Sequence, residues 1–284
     1  MDETKKLLEL LDRAVAESCV PETGIVFSGG LDSLIVAILA SKHAKVTAYT
    51  CGLPGAPDLK YAKQCGNLGF TLKVIDLTDE MVEDALPKIV AAIGDRNPVK
   101  VAVEVPFYFA SKKAKEDGFS VMLCGQGADE LFGGYSRYIE GMENGYDSVA
   151  DTMTYDIENI YQSQVDKDLA TCKANGIILR APYLNNEFIE YARSLPIELK
   201  IAESGEYKCA DGVCGKKYVR KYILRKVGEE VGVSNEVLHR SKKAAQYGSG
   251  AQKAIERIAR RRGYREKAKA AGRTDYVRMF LDEL

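Results

Sequence analysis

Hydrophobic and polar positions follow two different periods along this chain, and the changes of period mark its elements. Near the start, Leu7, Leu8, Leu11 and Val15 recur on one side of a helix, predicting an N-terminal helix within residues 1–20. The short apolar run Gly24-Ile25-Val26-Phe27 is fit for a buried strand, and residues 34–40 continue as an apolar helix. Residues 45–50 alternate as a second strand, 58–68 has helical spacing, and 71–76 reads as a third strand. Helical patterns follow over 80–93 and 105–116, and 119–123 reads as a fourth strand. Strands alternating with helices predict an α/β fold with a parallel sheet and helices on both faces. From about residue 146 the strand signal fades, and helical stretches take over at 146–172, 186–193, 216–230 and 252–270. The expected organisation is an N-terminal helix (1–20), an α/β core (21–145) and a helical subdomain (146–284) that packs on the sheet and completes the site. Neither repeats nor a low-complexity linker interrupt it.

Composition narrows the class. The 284 residues are 46% hydrophobic and 29% charged, as in an ordinary globular protein, with a formal net charge of −1. Such a balance does not steer the whole molecule toward nucleic acid or membranes. The longest apolar run, 34–40, is far short of a membrane span, and the N-terminus lacks a signal peptide's apolar core. Seven scattered cysteines without a signal favour reduced thiols and a cytoplasmic location. Only Cys209 and Cys214 lie close in sequence; a disulfide, half of a metal site and chance are all open for them. The tail from about 253 carries nine basic and two acidic residues up to 273, a pattern open to a solvated helix face, nucleic acid or an acidic partner.

In parallel sheets, ligands bind beyond the carboxyl ends of the strands, where segments 28–33, 51–58 and 124–135 are expected to fall. Ser28-Gly29-Gly30-Leu31-Asp32-Ser33 stands out among them. A strand, a glycine turn and a helix start together aim backbone N–H groups and the positive end of the helix dipole at one spot. The two glycines admit a bulky anion, the two serines add hydroxyls, and Asp32 can hold a divalent cation against phosphate oxygens. The spacing and the missing lysine exclude a Walker loop.

This hexapeptide resembles the pyrophosphatase loop of the N-type ATP pyrophosphatases, which split ATP into AMP and pyrophosphate. Three further stretches follow it: Cys51-Gly52-Leu53-Pro54-Gly55-Ala56-Pro57-Asp58-Leu59, Cys124-Gly125-Gln126-Gly127-Ala128-Asp129-Glu130-Leu131-Phe132-Gly133-Gly134-Tyr135, and Leu179-Arg180-Ala181-Pro182-Tyr183-Leu184-Asn185. With Arg240-Ser241-Lys242-Lys243-Ala244-Ala245-Gln246-Tyr247-Gly248-Ser249, they look like the synthetase domain of the asparagine synthetase family, in the family's motif order from about 21 to 250. The Gly-Ala-Asp-Glu and Gln-Tyr-Gly-Ser forms resemble an asparagine-synthetase-related subgroup. The resemblance implies a fold like that of the adenine nucleotide alpha hydrolases. It also implies an ATP-dependent ligase: a substrate carboxylate attacks the α-phosphate of MgATP, pyrophosphate leaves, and ammonia converts the acyl-adenylate to an amide. Carried over by the resemblance, Asp32 and Asp129 share magnesium with the pyrophosphate, while Ser28, Gly29, Gly30 and Ser33 hold the leaving phosphates. Lys242 neutralises charge at the α-phosphate, Phe27, Cys51, Gly52, Cys124 and Gly125 contact the nucleotide, Glu130 joins the catalytic set, and Gln126, Arg180 and Lys221 bind substrate.

The chain also departs from the family. The glutamine-hydrolysing half begins with a cysteine after the initiator methionine; Asp2 stands in that place, so glutamine hydrolysis by this chain is not expected. The expected nitrogen source is free ammonia or a separate glutaminase subunit. Gln126 replaces a glutamate that could accept a proton from attacking ammonia, Ile178 and Asn185 replace two further acids, and Lys167-Asp168-Leu169 stands for Arg-Asp-Asp. Adenylation needs no base, because the attacking carboxylate is already ionised. The departures therefore bear on amide formation and on aspartate as the substrate. Two other readings come from the residues: an adenylating tRNA-modifying enzyme that inserts sulfur, with Cys51 or Cys124 as its thiol, and a non-catalytic ATP-binding partner.

Overall fold

A computed structural model describes residues 2–65, 68–203, 206–207, 211–213, 216–240 and 245–284. Lys242, Cys209 and Cys214 lie outside the described residues. The first half runs α1 (Glu3–Ser18), β1 (Glu22–Val26), α2 (Leu31–Ala40), β2 (Lys45–Gly52), α3 (Pro57–Gln64), β3 (Thr71–Asp76), α4 (Asp79–Ile93), α5 (Pro98–Glu116) and β4 (Val121–Leu123). The second half runs α6 (Ala128–Phe132), α7 (Ser136–Gly141), α8 (Tyr146–Glu158), α9 (Asp166–Ala174), β5 (Ile178–Arg180), α10 (Asn186–Ser194), α11 (Ile197–Lys200), β6 (Ile201–Glu203), β7 (Asp211–Val213) and β8 (Lys216–Arg220). It closes with α12 (Tyr222–Glu230), α13 (Asn235–Leu238), α14 (Ala245–Gly248), α15 (Ala251–Arg261), α16 (Tyr264–Ala270) and α17 (Tyr276–Asp282).

Five parallel strands form the main sheet in the order β3-β2-β1-β4-β5. Strand side chains alternate between faces, and both faces are covered. Ile25, Ala48 and Leu123, which sit side by side across the ladder, join one core with Leu7, Leu11, Leu34 and Ile35 from α1 and α2. Tyr49 and Met122 point the other way, into a core with Phe107, Ala110 and Cys172 from α5 and α9. Burial on both sides explains why β2 is closed to solvent over seven consecutive positions after Lys45.

Local chemistry sets several element ends. Asp2 caps α1 by accepting from the Thr4 N–H at 3.0 Å. Asn97 caps α5 through the Val99 and Lys100 N–H groups, with Pro98 at the first helical position, so this helix begins seven residues before the periodicity suggests.

The second half differs most from expectation. Residues 178–180 form β5, which extends the main sheet by pairing with β4, so the α/β core does not end at 145. Residues 216–220 are a strand of a small antiparallel sheet, β6-β8-β7, instead of the start of a helix. The switch to α12 occurs at Lys221, the one non-glycine residue with positive φ (57°) among the described residues. The 146–172 stretch is interrupted by a π-helical turn at Tyr161–Val165, and the 252–270 stretch breaks at Gly263, where φ is 78°. Each of these short segments is held by pairing or packing with distant residues, so its own period carries little signal.

The basic tail turns inward. Ala254, Ile255, Ile258 and Ala259 of α15 are buried in a core shared with α4 and α5. Arg257 pairs with Asp79 at 2.5 Å, Arg261 reaches Glu83 at 2.5 Å, and Arg262 also pairs with Glu83. The acidic partner of these arginines is α4 of the same chain. Exposed pairs of this kind contribute little singly, and the apolar face does most of the fastening.

One buried cation is a stability liability. Lys200, at the end of α11, is only 4% exposed, and burial, with repulsion from Arg193, lowers its ammonium to about 8. An unfolded lysine titrates near 10.4, so the folded state disfavours the charge at every pH below about 8. Lys200→Met is expected to raise unfolding free energy at pH 7 by roughly 2–3 kcal/mol. The gain should shrink as pH rises through 8 and vanish above about 10.5. Urea unfolding of both proteins at the two ends of this window checks the sign and the size.

Candidate active site

In the strand order β3-β2-β1-β4-β5, the chain reverses its direction of winding between β1 and β4, which opens a crevice beyond their carboxyl ends. A cavity of about 450 Å³ occupies it. Phe27, Ser28, Asp32 and Ser33 line it from β1 and α2, Cys51 from β2, and Cys124, Gly125, Gln126, Asp129 and Glu130 from the β4–α6 segment. The tertiary structure thus brings together ten of the residues singled out from the sequence. Gly29, Gly30 and Gly52 belong to the same loops without lining the cavity.

Backbone geometry requires glycine at two points here. Gly29 has φ +64°, and a Cβ on it would stand 2.5 Å from the Ala62 nitrogen. A Cβ on Gly125 would stand 2.9 Å from Asp32 Cβ, so glycine lets the β4 loop close against α2. Within the first loop, the Ser28 N–H donates to Ser33 Oγ and the Gly30 N–H to Ser28 Oγ, both at 3.3 Å. Arg240 braces the loop from behind. Its Nη1 donates to the Gly29 carbonyl at 3.0 Å, its Nη2 to Asp58 at 2.8 Å, and its guanidinium lies 3.9 Å from the Tyr61 ring centre. Sequence reasoning passed over Arg240, Asp58 and Tyr61, although Asp58 and Arg240 stand inside the quoted motifs. Their partnership spans 182 residues and has no local signature.

Behind two of the lining carboxylates, and not itself lining the cavity, Lys221 Nζ lies 2.6 Å from both oxygens of Asp32 and 2.6 Å from Asp129 Oδ1. The two aspartates occupy the first turns of α2 and α6. Gly134 makes room for the trio, because a Cβ there would overlap both the Asp129 carboxylate and the Lys221 side chain. Lys221, expected to bind substrate, instead stands between the two carboxylates assigned to magnesium. The donor set fits that ion: two hard carboxylates converge on one cationic point, and Mg²⁺ is commonly held by one or two carboxylates plus phosphate oxygens and water. Among the described residues no group of three or more His, Cys, Asp or Glu side chains could hold a metal, so the remaining ligands would come from phosphate and solvent.

A buried polar chain lines the other wall. Gln126 Nε2 donates to Asp168 at 2.6 Å, and Gln126 Oε1 accepts from Gln164 at 3.1 Å. Tyr135 OH donates to Glu130 at 2.5 Å. Gln164 belongs to the π-helical turn, a feature frequent at functional sites. Burial, with added repulsion from Asp129, raises the Glu130 carboxyl. Burial also pushes Glu104 on α5 up to about 7, and it raises Asp168 well above the carboxylate range, with repulsion from Glu104 next in importance. None of Glu104, Gln164 or Tyr135 was singled out from the sequence as a site residue, because helix period marks them only as one face of a helix or turn.

The cysteines are wall residues. The Cys51 thiol donates to the Pro106 carbonyl at 3.3 Å, and burial pushes it up to about 12. Burial, then the nearby Asp168, raises Cys124 as well. Arg180 is a correction: it lies outside the cavity, and its Nη1 donates to the Ser18 carbonyl at 2.8 Å, fastening β5 to the end of α1. Asn185 likewise serves as the N-cap of α10.

Comparison with known proteins places this geometry. The asparagine synthase family model matches residues 6–145 and 139–283. The chain is 35% identical over 285 residues to a Methanocaldococcus jannaschii protein named putative asparagine synthetase (glutamine-hydrolyzing) 1, covering 91% of this chain and 52% of that protein. It is 27% identical over 244 residues to the glutamine-hydrolyzing asparagine synthetase B of Escherichia coli K12, covering 80% of this chain and 41% of the relative. The chain therefore spans about half the length of the relatives it matches. Among solved structures, the NMN synthetase of Francisella tularensis aligns with 99% of this chain and 86% of its own, at a TM-score of 0.45 and 13% identity. With the family model matched across nearly its whole length, the chain belongs to the asparagine synthase family.

Proposed function

We propose that this chain is an AMP-forming synthetase that adenylates a substrate carboxylate with ATP and passes the acyl group to ammonia. The observation that carries the reading is the convergence of Asp32, Asp129 and Lys221 beside the Ser28–Ser33 loop, at the one crevice where an α/β sheet of this order takes a nucleotide. The loop's N–H groups and the start of α2 would bind the departing phosphates. Lys221 would offset charge on them, and Gly125 and Cys124 would border the nucleoside. Bound between Asp32 and Asp129, magnesium would supply charge neutralisation of the pyrophosphate. Such catalysis is mainly positioning and electrostatics, and the carboxylate nucleophile enters already ionised.

Two features favour a small carboxylic acid over tRNA. The basic tail is engaged with α4. The Cys51 and Cys124 thiols are held protonated, the wrong state for a sulfur nucleophile. Aspartate is the first acid to test, with free ammonia or a separate glutaminase subunit as nitrogen source. The five described free cysteines suit a reducing, cytoplasmic setting.

Pyrophosphate release from MgATP, measured against a panel of carboxylic acids that includes aspartate and against bulk tRNA, tests the reading. An acid should trigger release and tRNA should not; release with tRNA alone would transfer the site to nucleic-acid modification. Asp32→Asn and Asp129→Asn should each cut release by at least about 10²-fold while thermal unfolding stays cooperative. Turnover near wild type in either variant would end the assignment of the pair. Gly134→Ala should match those losses, because the methyl group must displace the Asp129 carboxylate or Lys221. Cys51→Ala and Cys124→Ala should keep turnover within a few-fold, whereas a thiol mechanism requires one of them to abolish it.

A further inference from the structure

The second half-reaction needs a group to take a proton from nitrogen. Position 126 offers none: Gln126 stands where the family resemblance leads one to expect glutamate, and both ends of its amide are committed, to Asp168 and Gln164. A neutral amide cannot accept that proton. A carboxylate nevertheless reaches the same cavity from another element. Glu104, on α5, lines the cavity together with Ser28, Asp32 and Gln126, yet its residue is only 1% exposed. Its Oε2 makes no hydrogen bond of ordinary geometry, and neither do Asp168 Oδ1 and Thr171 Oγ1, the two groups that face it. A buried acceptor left unsatisfied is costly, and the cost is relieved when a donor enters.

Resting on the adenylation reading above, we propose that Glu104 is the catalytic base of nitrogen transfer and that Asp168 is its positioning residue. In this step the nitrogen lone pair of ammonia forms a bond to the acyl carbon. The bond from that carbon to the AMP phosphate oxygen breaks, and its electron pair leaves with AMP. One N–H proton passes to the Glu104 carboxylate. Products are the amide, AMP and protonated Glu104, which later returns its proton to solvent. No oxidant or further reactant is required.

The electrostatic surroundings agree with these roles. Facing Glu104 are Asp168, Thr171, Lys167 and the Cys172 thiol of α9, with Lys100 one turn earlier on its own helix; Cys124, just after β4, lines the same cavity beside Asp168. Two carboxyls facing each other in a buried site cannot both ionise cheaply, so the pair retains one proton near neutrality. Asp168 is the more strongly raised member and holds it. Burial raises Glu104 to about 7, while hydrogen bonds from Thr171 and Asp168 and the charge of Lys167 limit the rise. A carboxylate raised toward neutrality in this way accepts a proton more readily than an ordinary one.

The test separates the half-reactions. The burst of pyrophosphate without ammonia reads adenylation, and amide formation with ammonium chloride reads nitrogen transfer, using L-aspartate or whichever acid of the panel drives the wild-type burst. Glu104→Gln should slow amide formation by about 10²–10⁴ more than it slows the burst. Plotted per unprotonated ammonia, wild-type amide formation should fall below about pH 7; Glu104→Gln should lose that limb, and Glu104→Asp should keep it at a reduced rate. Thermal unfolding confirms that each variant is folded. Equal slowing of both half-reactions, or a pH limb that survives Glu104→Gln, overturns the assignment and leaves adenylation standing. No burst with any acid removes the adenylation reading, and this inference falls with it.

Discussion

The Lys221 ammonium, held 2.6 Å from both Asp32 and Asp129, is the interaction on which the site depends. Two carboxylates this close to one another would repel strongly in a partly dry crevice, and a cation between them removes that cost. The trio joins three distant parts of the chain: the start of α2 after β1, the start of α6 after β4, and the junction of β8 with α12. Lys221 reaches its position only by adopting φ 57°, a backbone state that costs a non-glycine residue about 1–3 kcal/mol. Its N–H donates to the Phe132 carbonyl at 3.1 Å, and Arg225 N–H returns to its own carbonyl at 2.9 Å, so the strained residue is pinned on both sides.

The two walls of the crevice differ in kind. Beside the glycine loop are backbone N–H groups, a helix start and Lys221, all favouring negative charge. Across from them lie Glu104, Asp168 and Glu130, all pushed toward their neutral forms by burial. The proposed reaction, which gathers phosphate oxygens first and handles a proton from nitrogen second, would benefit from this division. Anions are drawn to one side, and the other keeps carboxyls near their switching point.

The second half of the chain serves the sheet and the site together. It adds β5 to the sheet, brings Gln164 to the cavity wall, and sets Lys221 against Asp32 and Asp129, and Asp168 against Gln126. It also fastens α15 across α4 and α5 through an apolar stripe and arginine–carboxylate pairs. Arg240 plays a comparable part at the Ser28–Ser33 loop, since it fixes the direction of the Gly29 carbonyl and therefore of the neighbouring N–H groups.

Much of the first half was legible in the sequence. Continuous apolar runs, glycine turns and helix periods are local properties, so strands expected at 24–27, 45–50, 71–76 and 119–123 followed from neighbouring residues alone and stand at Glu22–Val26, Lys45–Gly52, Thr71–Asp76 and Val121–Leu123. The motifs likewise put Ser28, Asp32, Asp129 and Gln126 in one site, and the cavity contains them all. Tertiary structure alone decided the rest. Three-residue β5 exists because β4 offers it an edge, and Arg180 leaves the cavity because α1 ends beside it. Lys221 lies between two aspartates 189 and 92 positions away by numbering, and Glu104 meets Asp168 across 64. Periodicity can assign a residue to a face of its own helix or strand, but which distant charge it meets is set by how those faces pack. The sequence by itself determined the make-up of the Ser28–Ser33 glycine loop and the period of its elements; packing determined which carboxylates meet a cation and which are buried against each other.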